Sequence, residues 1–427
     1  MLPFIVTRPI TVVNTRHMST NKPDTEADSV PAEDRGETVR AMEPMLVGSS
    51  SPMREELADL TLELAERSAG LRRSLPDGVA KALSDLVRAM NCYYSNLIEG
   101  HDTHPVDIER AMNRDFSLDP KKRDLQLEAR AHIEVQSWID GSGLVGPPAS
   151  SEAAIEIHRR FCEKLPDDLL WAENPETADR VRVEPGGLRQ RDVQVGRHVA
   201  ISPGAVPRFL ARFDAAYRNL GRVDRVMAAA TAHHRLLWIH PFADGNGRVA
   251  RLMSHAMLRE GLDTGGIWSV ARGLARREAD YKAHLQACDA PRRGDRDGRG
   301  SLSEASLAQF ARFFLEVCLD QASFMEDLIQ PDRLRDRILI WAEEEIRGDR
   351  LPPKSTLVLE ALLYRGELLR GEVAGLLSVG DRQARRVTSA LIDRGVLTSP
   401  TSRAPLRLTF PAALSGRWMP GLFPEKA

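Results

Sequence analysis

From Leu57 onward the apolar residues recur at helical spacing: Leu57, Leu60, Leu62 and Leu64, then Val79, Leu83, Leu86, Val87 and Met90. Positions three and four apart share one side of an α-helix, so this text predicts amphipathic helices packed on a common core. The same period predicts helices over 155–164, 207–220, 223–239, 249–260, 275–288 and 302–325. Strand-like alternation is read in one place before the C-terminal region, 190–201, where Val193, Val195, Val199 and Ile201 alternate around Gly196. That predicts a short hairpin on a helical body. Residues 291–300, PRRGDRDGRG, carry turn formers and charge without apolar anchors, as a surface loop does.

The pattern changes at both ends. Residues 19–52 are rich in Thr, Asp, Glu, Ser and Pro and poor in large apolar side chains, which predicts a disordered tail over 1–52 because little surface can be buried to offset the ordering entropy. The opening apolar run is broken by Arg8 and Pro9 and reads as an unstructured leader, with Met18 as an alternative start. After Pro331, residues 357–408 predict three short helices followed by two short strands. Within them 370–377, a tight Ser378-Val379-Gly380 turn, and 381–394 closed by Gly395 read as a helix-turn-helix, and 396–408 as a wing. The expected division is a tail over 1–52, a helical region over 53–145, a catalytic core over 146–330 and a winged helix-turn-helix unit over 331–427. The expected fold class is mainly α.

Composition narrows the function. A chain of 427 residues is long enough for two or three cores. Its 59 basic and 61 acidic residues nearly cancel, so any attraction to nucleic acid must be local. Cys92, Cys162, Cys288 and Cys318 form no CxxC pair and no zinc spacing, which points to a reducing cytoplasm. No run approaches the roughly 20 apolar residues of a membrane span.

The chemistry concentrates in HPFADGNGRVAR, 240–251, between two predicted helices. Pro241 forces His240 out of helical torsions, which presents the imidazole at the helix end. Gly245 and Gly247 allow a tight turn, and the N–H groups opening the next helix gather toward one anion with the positive end of the helix dipole behind them. Arg248 and Arg251 share a face and add two guanidinium forks suited to polyphosphate. Asp244 supplies the hard oxygen that Mg²⁺ prefers, and His240 is the group able to take a proton near neutral pH. Together they describe phosphorus transfer. His233 and His234 read as one inward and one outward residue without a metal role.

This segment resembles the signature HPFx[D/E]GNGRxxR of the Fic family, with every specified position present: His240, Pro241, Phe242, Asp244, Gly245, Asn246, Gly247, Arg248 and Arg251. The resemblance implies a Fic-fold helical core that uses ATP and Mg²⁺ to transfer AMP onto a Ser, Thr or Tyr hydroxyl of a target protein. It implies His240 as the base, Asp244 as the metal ligand, and Gly245, Asn246 and Gly247 as the anion pocket. Arg248 would meet the inner phosphates and Arg251 the γ-phosphate. Residues 186–203 resemble the family's flap, a hairpin that registers the target by strand addition, with Val193, Gln194, Val195 and Gly196 also lining the nucleotide. Tyr281 lies where the family often has an aromatic near adenine, while Asp289 replaces a common Asn. SNLIEG, 95–100, resembles the family's inhibitory motif, in which Ser95 and Glu99 share a helix face and the glutamate takes the arginine matching Arg251. The same glutamate serves AMP removal in some relatives, so addition and removal both stay open.

In the C-terminal unit Arg382, Gln383, Arg385 and Arg386 project opposite the apolar positions Ala384, Val387 and Leu391, as a recognition helix requires. DNA contact and self-association are both open for it, and with DNA comes an alternative function as a nucleotide-sensing transcriptional regulator.

Overall fold

A computed structural model of the chain describes residues 32–173 and 179–424. The leader and the expected tail up to residue 31 lie outside the described residues. Helices α1 (Arg54–Arg73) and α2 (Asp77–Ile98) take up the first apolar pattern. Leu57, Leu64 and Leu71 of α1 are buried, whereas Leu62 stands off that face and is 58% exposed. Next come α3 (Pro105–Met112), α4 (Pro120–Asp140) and α5 (Ser151–Cys162). Asp119 caps α4 and Ser150 caps α5 through side-chain oxygens that accept first-turn N–H groups.

Two hairpins follow. β1 (Trp171–Glu173) pairs antiparallel with β2 (Arg180–Arg182), and β3 (Gln194–Val195) with β4 (His198–Val199). The alternation over 190–201 thus yields the expected hairpin, while the first one went unread because only Ala172 among its inner strand residues is buried.

Helices α6 (Val206–Tyr217), α7 (Arg222–Ile239) and α8 (Asn246–Gly261) form the centre, with α7 and α8 in extensive contact. The helix expected over 275–288 is two, α9 (Val270–Arg276) and α10 (Glu278–Cys288), because Arg277 leaves helical torsions at φ −116°, ψ 39°. The Ala and Leu stripe runs on across that break, so the apolar period hides it. α11 (Glu304–Leu328) packs on α1, α7, α9 and α10. All four cysteines are free and buried within this body.

Residues 32–52 correct the expectation of a disordered tail. Met42, Met45 and Val47 are buried, and the backbone is tied down by Arg235, whose Nη2 donates to the Pro44 carbonyl at 2.8 Å, and by Tyr217, whose hydroxyl donates to the Met45 carbonyl at 2.7 Å. Three apolar anchors suffice here because buried polar partners satisfy the remaining backbone.

The C-terminal elements are α12 (Pro331–Arg347), α13 (Ser355–Arg365), β5 (Glu367–Leu368), α14 (Val373–Leu377), α15 (Asp381–Asp393), β6 (Leu397–Thr398), β7 (Leu406–Leu408) and α16 (Ser415–Trp418). The sheet order is β5-β7-β6, all antiparallel. This unit rests on α2: β7 and α13 contact that helix, the Tyr94 hydroxyl donates to the Leu422 carbonyl at 3.1 Å, and Tyr93 meets the Phe423 ring edge-on at 5.7 Å. No helix among the described residues is long and apolar enough to cross a membrane.

Candidate functional site

The loop between α7 and α8 is held from every side. His240 ends α7 in the left-handed region, φ 50° and ψ 62°, a conformation costly for a residue with a Cβ. It therefore leaves the helix as Pro241 requires, yet it is not openly presented: only 8% of its surface is exposed, at the floor of a cleft. Phe242 is fully buried, its ring stacked on His158 at 3.9 Å. Asn246 closes the loop, its Oδ1 accepting from Phe242 N–H at 3.0 Å and its Nδ2 donating to the Phe242 carbonyl at 2.9 Å. That side chain is spent on the turn, so Asn246 offers an anion its backbone N–H alone.

His158, which the sequence did not single out, braces the turn from below. Its Nδ1 accepts from Gly186 N–H at 3.0 Å, so the proton sits on Nε2, which donates to the Asp244 carbonyl at 3.2 Å. Burial holds its pKa down at about 4, keeping the ring neutral.

Burial also lowers His240 to about 4, and the Arg189 guanidinium nearby pushes it the same way. A neutral imidazole keeps a lone pair on one ring nitrogen, as a base requires.

No side chain caps α8, whose first N–H groups follow Gly245 at φ +81°. Arg248 donates from Nη2 to Asp244 Oδ2 at 3.1 Å, lies 3.6 Å from Glu128 Oε2 and stacks over Phe161 at 4.7 Å. Its pKa is raised: burial opposes the charge, but Asp244, Glu128 and Glu99 outweigh it. Nε and Nη1 of Arg248 are buried without a hydrogen-bond partner among the described residues.

Arg251 is reached from α2, its Nε donating to Ser95 Oγ at 2.8 Å and its Nη2 to the Ser95 carbonyl at 3.2 Å and to Glu99 Oε1. Glu99 is the C-cap of α2, one turn beyond Ser95. Burial raises its pKa, but Arg251 and then Arg248 more than offset this and hold it below the ordinary value. A Cβ on Gly247 would come within 2.4 Å of Glu99 Oε1, so the carboxylate lies directly on the glycine turn.

These residues line one cleft of about 830 Å³. His240, Asp244, Gly245, Asn246, Gly247, Arg248, Arg251, Tyr281 and Glu99 all face it, as do Val195 and Gly196. Of the other flap positions expected there, Val193 is buried in the core and Gln194 turns its amide to the Gly196 carbonyl at 2.9 Å. Trp171, Ala172 and Arg180 of the unexpected β1–β2 hairpin form part of the opposite rim.

Behind the cleft, Tyr281 donates from its hydroxyl to His233 Nε2 at 2.6 Å, and His233 Nδ1 meets Ser254 Oγ at 2.9 Å. His234 accepts from Arg235 at Nδ1, 2.6 Å, and donates from Nε2 to Asp289 at 3.1 Å. Both histidines are buried, correcting the expectation that one faces outward. Both rings are taken up inside because each finds partners there: Tyr281 of α10 for His233, Asp289 at the end of α10 for His234, and Phe310 of α11 beside both. Arg382, Gln383, Arg385 and Arg386 lie far along the chain on α15, exposed and without ion pairs among the described residues, and do not join this cleft.

Residues 148–258 match the family model of the Fic/DOC family. Over 216 residues the chain is 28% identical to the protein adenylyltransferase Fic of Drosophila virilis, which covers 48% of this chain and 41% of that protein. The protein of the same name from Drosophila melanogaster is 26% identical over the same shares. The chain thus spans about two fifths of the length of these curated relatives. A Fic family protein from Desulfovibrio desulfuricans G20 aligns with a TM-score of 0.49 at 17% identity, covering 85% of this chain and 98% of that one.

Proposed function

We propose, from the premise that residues 148–258 carry a Fic domain, that the protein transfers AMP from ATP to a Ser, Thr or Tyr hydroxyl of a target protein and that Glu99 restrains the transfer. The observation that carries the reading is the docking of Glu99 on Arg251 directly over an uncapped glycine turn, beside a neutral imidazole in the same cleft.

In this reading the target hydroxyl oxygen bonds to the α-phosphorus while its proton passes to the unprotonated ring nitrogen of His240. The bond from that phosphorus to the oxygen bridging to the β-phosphate breaks, and pyrophosphate leaves. The N–H groups opening α8 and the Arg248 guanidinium, whose Nε has no hydrogen-bond partner among the described residues, stabilise the inner phosphates. Arg251 takes the outer phosphate once Glu99 withdraws.

Asp244 fits a magnesium ion: one carboxylate oxygen is held by Arg248 and the other is left for a metal. A lone carboxylate, with no cluster of three or more metal-ligating side chains among the described residues, suits an ion shared with phosphates and water. Such an ion, when bound, supplies positive charge at the phosphate oxygens.

We read the C-terminal unit as a winged helix with α15 as its recognition helix. Its exposed arginine face, without ion pairs among the described residues, supports a second reading, a regulator in which nucleotide state governs DNA binding.

Labelling of a host lysate with α-labelled ATP tests the transfer. The wild-type protein labels weakly, Glu99→Gly labels at least tenfold more strongly, and His240→Ala removes the signal. Glu99→Gly remaining at background with magnesium present overturns the reading.

A further inference from the structure

Arg189 is 3% exposed, and among the described residues every hydrogen bond its guanidinium makes is to a backbone carbonyl. Nε donates to His240 at 2.7 Å, Nη1 to Arg191 at 2.9 Å, and Nη2 to Ile201 and, at 3.4 Å, to Ile239. Its own N–H donates to the Pro241 carbonyl at 2.9 Å. A buried arginine ordinarily answers a carboxylate, because an unpaired buried charge is costly. A side chain that merely filled this space would be apolar.

The four acceptors belong to two separate structures. Arg191 and Ile201 are the roots of the β3–β4 hairpin, and Ile239 and His240 are the end of α7 where the backbone turns left-handed. One rigid, planar fork therefore fixes the hairpin to the carbonyl that follows the imidazole. The outer side of the hairpin is fixed as well: Arg35 grips Asp192 at 2.7 Å and 3.0 Å, and Ser202 N–H donates to Glu37 at 2.8 Å. Hairpin and histidine cannot shift independently without breaking Arg189's bonds.

We propose that Arg189 is a positioning residue that transmits the register of a target segment seated on the β3–β4 hairpin to the His240 imidazole. The proposal rests on the transfer reading for its rate effect, but the mechanical link stands on the bonds themselves. Arg189 does not line the cleft. The phosphate cradle is closed separately by Asn246 on Phe242, so loss of Arg189 leaves nucleotide binding in place.

Arg189→Lys, made in the Glu99→Gly chain, tests it. Lysine keeps the positive charge and cannot span carbonyls on both structures in one plane. The expected result is a fall in kcat for target labelling of about tenfold to a hundredfold, the scale of an ångström-sized misplacement, with ATP affinity within threefold of the parent. Hydrogen exchange is expected to quicken at 191–201 and 239–244 and to stay unchanged in α11. Labelling within twofold of the parent overturns the proposal, as does faster exchange spread across α11, which would mark general destabilisation. A silent Glu99→Gly parent sinks the transfer reading, and the exchange pattern then decides alone: paired quickening of both segments supports the link, and parental exchange at either overturns it.

Discussion

Ser95 and Glu99 act on Arg251 in different ways. Ser95 holds the guanidinium through its hydroxyl and its carbonyl, whereas Glu99 supplies the charge. Ser95→Ala removes one buried charge-assisted bond, worth about 1–3 kcal/mol, and leaves the carboxylate in place. Labelling by Ser95→Ala is therefore expected to lie between wild type and Glu99→Gly, with a lower thermal midpoint. The pH dependence has a definite sign. The Glu99 pKa lies below its ordinary value of 4.5, so its stabilising effect is fully present above 4.5 and is lost as pH falls through the folded-state value. The stability difference between wild type and Glu99→Gln, measured by urea unfolding, is expected to be constant from pH 6 to 8 and to shrink toward pH 3.

At the scale of elements, the site was legible where chemistry and period coincide. The 240–251 text sits between two helices whose apolar stripes are strong, so the loop, its glycines and its charged residues could be placed from sequence. The α2 segment was equally plain, since Val79 through Met90 repeat at helical spacing just before Ser95. What stayed hidden depends on distant partners. Arg189 and His158 gain their roles only when the folded chain brings them to the 240–244 backbone, 51 and 86 residues away. The stretch 32–52 reads as polar because its binding is made by partners such as Glu37 with Ser202, 165 residues apart. A direct consequence is measurable: Met42, fully buried, is expected to cost about 2–5 kcal/mol on replacement by alanine. Urea unfolding of Met42→Ala checks this, and no change in midpoint would return the stretch to a loose tail.

Across the whole molecule, the C-terminal segment packs on the same helix that carries Glu99 at its end. Tyr93 and Tyr94 of α2 contact Phe423 and Leu422, Arg272 Nη2 donates to the Gly421 carbonyl at 2.7 Å, and Ser95 is the next residue along. Removing residues 412–427 exposes those tyrosines and is expected to loosen α2, lowering the thermal midpoint by several degrees and raising labelling above wild type. Unchanged labelling in a folded truncation would separate the two ends of the helix. The α15 face makes its own forecast: if it meets DNA, Arg385→Ala weakens a salt-sensitive gel shift while His240→Ala leaves it intact.

The four sulfhydryls have a practical consequence of their own. Each is buried, and burial pushes its pKa upward, to about 12 for Cys162 and Cys288, so none is a ready thiolate at neutral pH. The native chain should therefore be blind to maleimide dyes. A single cysteine written in at Val199, 63% exposed on β4, would then accept one fluorophore at one address and let the hairpin's movement be followed by light in real time.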